Sequence, residues 1–79
     1  MGVAEDLADA LARDTIEAAE ALNDDNLIDQ VAKQIGASSQ TTQEAFLTAV
    51  RVRLAEKRAR KFLEGRLNSA LAASKRAKE

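Results

Sequence analysis

The chain contains no cysteine, histidine, proline, tryptophan or tyrosine. Without cysteine there is no disulfide and no thiolate metal site. Without histidine, imidazole acid–base catalysis, Ser–His and Cys–His nucleophile pairs and His-ligated metals are excluded. Only Phe46 and Phe62 are aromatic, which leaves few platforms for stacking single-stranded bases. No Gly-rich phosphate loop, Walker pattern or G-x-S-x-G is present. Carboxylate pairs such as Asp24 with Asp25 and Glu17 with Glu20 sit in acidic stretches with nothing to perturb them. The sequence therefore predicts no catalytic residue, no cofactor, no metal and no small-molecule substrate, and the chain is read as not an enzyme.

Membrane and export signals are also missing. No apolar run approaches the roughly 20 residues that cross a bilayer. The first residues are acidic where a secretory leader is basic. Gly2 could accept a myristoyl group, but Asp6 stands where that signal carries Ser or Thr. The projected basic helix lacks Trp and has one Phe to insert, so a membrane surface is not an expected partner. The expected location is cytoplasmic.

What is present is a strong polarity of charge. Residues 1–30 carry nine acids and one base, Arg13, while residues 51–79 carry ten bases and three acids. The formal total of −1 hides a net −8 at one end and +7 at the other. A chain of 79 residues is one domain, and at this size only roughly 60–65% of the unfolded surface is buried. Small scaffolds of this kind are usually stabilised by disulfides, metal or a partner subunit. With the first two excluded, a homo-oligomer, most simply a dimer, or a protein partner is expected.

The composition favours helix throughout, and the periodicity predicts three helices. The first spans about Val3 to Leu22, with Val3, Leu7, Leu11, Ala18 and Leu22 on one side, widened by Ala8, Ala12, Thr15 and Ala19. The run Asn23-Asp24-Asp25-Asn26 stops it. That run lacks the alternation, central Gly and terminal Glu of a calcium loop. The second helix spans about Asn26 to Ile35, with Leu27, Ile28, Val31, Ala32 and Ile35 on one face. Gly36 is expected to end it in a left-handed conformation. The third begins near Thr41 with a Thr41–Glu44 capping box and continues across Gly65 to about Ser74. The predicted fold is all-α: a single helical domain over 1–74 in a three-helix arrangement with a long C-terminal helix, followed by a frayed basic tail over 75–79.

The third helix changes its apolar side. At about 100° per residue, Phe46, Leu47, Val50 and Leu54 share one face, which then meets the charged Lys57, Arg58 and Lys61. Val52, Ala55, Ala59, Phe62 and Leu63 lie on nearly the opposite side. Their spacing alternates three and four as in a short coiled-coil seam, broken at Arg66. The first face is expected to close the core with the other two helices. The second is read as an interaction seam for another copy of the chain, with the first helix folding back onto it as the alternative.

Two features bear on nucleic acid. Within residues 26–47, the segment from Val31 to Thr42 resembles the helix-turn-helix pattern of many repressors. Ala32 stands where close packing is needed, Gly36 stands at the turn, and Ser38, Ser39 and Gln40 would open the recognition helix. The resemblance implies Gln40 and Gln43 as base-facing residues, and Gln can read adenine. Thr42 departs from the buried aliphatic of that pattern, and no Arg or Lys lies among the base-facing positions. The second feature is the face formed by Arg53, Lys57, Arg60 and Lys61, which could meet phosphates or an acidic protein surface, including the first helix. The leading expectation is a non-catalytic, self-associating interaction module with a regulatory or scaffolding role. The alternative is a small nucleic-acid-binding regulator.

Overall fold

A computed structural model describing residues 2–78 contains three helices: α1 over Val3–Leu22, α2 over Leu27–Gly36 and α3 over Gln40–Lys78. The all-α arrangement with a long C-terminal helix is as the periodicity predicts. The backbone of α3 runs past Ser74 to Lys78 without interruption at Gly65. Residue 79, the last of the expected tail, lies outside the described residues.

The ends of the helices are set by local chemistry. Glu5 accepts a hydrogen bond from the Gly2 backbone N–H at 2.5 Å, meeting one of the donors left free at the start of α1. At the other end Asn23 takes the left-handed conformation, with φ of 53°. The Asp24 N–H reaches Ala19 O at 2.9 Å and the Asn23 N–H reaches Glu20 O at 3.2 Å. This pair of bonds is a Schellman stop with Asn in the place usually taken by Gly. Asp24 Oδ1 then accepts from the Asn26 N–H at 3.1 Å, tightening the turn into α2.

The α2–α3 junction differs from the sequence reading in two ways. Gly36 is the last helical residue, Ala37 follows with φ of −63°, and no described glycine has a positive φ. The glycine instead leaves room for the Gln43 side chain. A Cβ at Gly36 would stand 2.5 Å from Gln43 Nε2 and 2.7 Å from its Cδ. Second, α3 starts earlier than Thr41. Ser39 is the cap: its Oγ accepts from the Thr42 N–H at 3.1 Å and donates to Thr42 Oγ1 at 2.9 Å. Serine is among the best residues at that position, so the cap lies two residues ahead of the expected Thr41–Glu44 box.

The core lies at one end of the molecule. Phe46 is fully buried, with Val50 beside it, against Ala8, Ala12 and Ile16 of α1 and Ala32 of α2. Ile28, Val31, Ile35, Leu47 and Leu54 close the edges. The first apolar face of α3 therefore does close the core. The buried face of α1, however, is its alanine side. Val3, Leu7, Leu11 and Leu22 stand exposed, while Ala8, Ala12, Thr15, Ile16 and Ala19 are inside. The cause is close packing: a Phe in so thin a bundle needs a wall of small side chains. Thr15 is tolerated there because its hydroxyl donates to Leu11 O at 2.7 Å.

Beyond this bundle α3 projects alone. The molecule measures 62 × 30 × 13 Å with a radius of gyration of 17.7 Å. A compact chain of this length has a radius near 12 Å. From Ala55 to Ala77 every residue of α3 is exposed.

Candidate interaction surface on the third helix

α3 is 39 residues long, about 58 Å at 1.5 Å per residue, and α1 and α2 cover only its first half. Because its apolar side changes, the half that leaves the bundle carries uncovered hydrophobic residues. Val52 is 62% exposed, Phe62 72% and Leu63 54%. Ala55 and Ala59 are exposed between them. The five seam residues thus lie on one open face, and α1 packs on a different one. Only at Val52 does α1 come near, where Glu5 and Asp9 form the far lip of a shallow groove floored by Ala45, Ala49 and Val52.

One further leucine belongs to this surface. Leu67 is 55% exposed, and the helical turn carries it beside the line of Val52, Ala59 and Leu63. Its signal was the step of four from Leu63 across Arg66, a single charge that interrupts the seam without ending it. Leu71, 62% exposed, lies half a turn round the helix from Phe62 and off this face.

The basic residues divide into two groups. Arg53 donates through Nε and Nη2 to Asp9 Oδ1 and Oδ2 at 2.7 and 2.8 Å. The Lys57 ammonium pairs with Glu20. Arg60 turns back along its own helix to Glu56 at 2.7 Å. Arg58, Lys61 and Arg66 have no acidic partner within ion-pair distance among the described residues. Arg53 and Lys57 are therefore engaged by the acidic first helix, whereas Arg58, Lys61 and Arg66 are open. The hydrogen bonds from Arg53 hold the Asp9 carboxyl below its ordinary pKa, and Asp9 in turn raises that of Arg53.

Of the two glutamines expected to face bases, Gln40 is exposed on the first turn of α3. Gln43 is half-buried, and its Nε2 donates to Ala32 O at 3.0 Å. That bond ties a side chain of α3 to the backbone of α2, so the amide is committed to joining the two helices. Among the described residues no group of three His, Cys, Asp or Glu is placed to hold a metal ion. No helix among them is long and apolar enough to cross a membrane. The chain matches no protein-family model, no curated protein and no solved structure.

Proposed function

We propose that this protein is a non-catalytic interaction module that self-associates through the open apolar face of α3 and serves a regulatory or scaffolding role. The observation that carries the reading is the row Val52, Leu63 and Leu67, with Phe62 at its edge. All four are more than half exposed on α3. Contiguous apolar surface of this kind marks an association site. Engagement of Arg53 and Lys57 by Asp9 and Glu20 favours the same reading, since it removes two of the four bases from a phosphate footprint. Analytical ultracentrifugation at tens of micromolar tests it. A dimer or higher oligomer that dissociates on Leu63→Glu is expected; a monomer for the unaltered chain would overturn it.

One observation favours a second reading, a nucleic-acid-binding regulator: Arg58, Lys61 and Arg66 are exposed on the projecting helix. The engaged Gln43 weakens base readout, so such binding would be mainly to phosphates and would fall steeply with salt. Titration of random duplex DNA at low salt with the chain and with R58E/K61E decides it. Absence of binding removes this reading.

A further inference from the structure

The uncovered face of α3 is longer than its exposed leucines indicate. With about 100° per residue, Ala45, Ala49, Val52, Ala59, Leu63, Leu67, Ala70 and Ala77 fall along one line. Ala45 and Ala49 at its start are half-buried at the edge of the core, and the line from Val52 onward is exposed. The line spans about 48 Å at 1.5 Å per residue. Its first third forms the floor of the groove beside α1, and that floor is made of small side chains. Its last half carries the large ones. Two charges lie within it: Glu56, exposed and held by Arg60, and Arg66, exposed. They sit at about equal distances on either side of Lys61.

From this we infer that two copies of the chain pair antiparallel along α3, each projecting half lying in the α1–α3 groove of the other. The inference rests on the self-association proposed above and adds the occupant, direction and register. Three observations carry it. The first is size complementarity. Antiparallel pairing about Lys61 sets Leu63 opposite Ala59, Leu67 opposite Ala55 and Ala70 opposite Val52, so large side chains meet small ones along the contact. The second is charge. Parallel pairing lays two base-rich ends side by side, whereas antiparallel pairing carries each base-rich end to the acidic end of the other copy. Arg66 then meets Glu56 twice across the two-fold axis. The third is area. The chain exposes 6274 Å², where a compact monomer of 8.5 kDa exposes about 4,700 Å². The excess comfortably covers the roughly 800 Å² per partner that a stable interface takes.

The absence of native cysteine makes the test direct. V52C and A70C, both at exposed positions, are prepared as separate chains, checked for unchanged helicity, mixed and oxidised. Antiparallel pairing brings position 52 of one copy to position 70 of the other, so the mixture cross-links and neither chain alone does. Two copies of position 52 would then stand about 27 Å apart along the helix. Cross-linking of V52C with itself would overturn the antiparallel arrangement and leave self-association standing. A monomeric unaltered chain by ultracentrifugation would overturn both. A charge test is independent of cysteine chemistry. E56R sets two guanidinium groups against each other and should weaken association by roughly tenfold or more, and E56R/R66E should restore it. Equal weakening in the single and double variants would overturn the register.

Discussion

Arg53 of α3 and Asp9 of α1 form a two-point clamp, with both carboxylate oxygens of Asp9 accepting from one guanidinium at 2.7 and 2.8 Å. The fork geometry fixes the rotation of α3 about its axis as well as its distance from α1. That rotation determines which side of α3 faces the core and which faces out. The clamp therefore links the acidic end of the chain to the placement of the apolar stripe.

Its pH dependence follows from the lowered pKa of Asp9. A carboxyl whose pKa is lower folded than unfolded stabilises the fold above its unfolded value. The contribution is lost as pH falls through the folded value. The ordinary value is 3.8, so the window lies at and below that pH. Thermal unfolding midpoints of the chain and of Asp9→Asn should differ at neutral pH and converge in acid. A difference that persists unchanged in acid would show that the clamp does not couple to folding.

Phe46 is the only large side chain that is completely enclosed among the described residues. Truncating an enclosed Phe to Ala costs about 3–5 kcal/mol. A single core below about 80 residues rarely supplies more than about 3–5 kcal/mol. Phe46→Ala should therefore unfold the bundle near room temperature, seen as collapse of amide chemical-shift dispersion. Phe46→Leu keeps the apolar character with a smaller side chain and should leave a folded chain with a lowered midpoint.

Much of this fold was legible as periodicity. All three helices, the bounds of α1 and the turned face of α3 follow from where apolar residues recur. What was not legible was which part of a wide apolar arc is buried. On α1 both the leucine and alanine sides satisfy helical spacing, and only the bulk of Phe46 across the interface selects the alanines. The proposed seam follows from the same periodicity as the core, and its continuation to Leu67 is interrupted by Arg66. The cap of α3 was hidden by redundancy, since Ser38, Ser39, Thr41 and Thr42 are all competent caps within a few residues.

That redundancy gives a sharp test. Ser39 is the hydroxyl that accepts the Thr42 N–H, so Ser39→Ala should cost about 0.5–2 kcal/mol. Thr41 is exposed and already within the helix, so Thr41→Ala should change stability by less than about 0.5 kcal/mol. Chemical denaturation of the two variants distinguishes them, and the reverse order would place the cap at Thr41.

Gly36 was read as a conformational stop and instead makes room for Gln43. Its φ is not positive, so alanine fits the backbone and gains about 1 kcal/mol of helix propensity. The new Cβ would displace the Gln43 amide and break its bond to Ala32 O, a loss of about 0.5–1.5 kcal/mol. Gly36→Ala should thus be near neutral in the unaltered chain. In a Gln43→Ala background only the gain remains, and the same substitution should stabilise by about 1 kcal/mol. A double-mutant cycle on unfolding free energy measures the difference.

Gly65 sits in the projecting part of α3, where a Cβ would meet nothing within 4 Å. No tertiary contact opposes a substitution there, and its φ is not positive. The projection has no tertiary packing to support it, so a glycine at its middle, the poorest helix former there, is where it opens most easily. Gly65→Ala should add about 1 kcal/mol to the helical form of this segment. Amide protection just beyond residue 65 should then rise roughly fivefold. Helical geometry places position 65 on the side of α3 away from Leu63 and Leu67. The added methyl should therefore stiffen the projection without obstructing the stripe, and self-association should be retained or strengthened. Weakened association in Gly65→Ala would mean that the partner contacts that side of the helix, or that bending at Gly65 is needed for pairing.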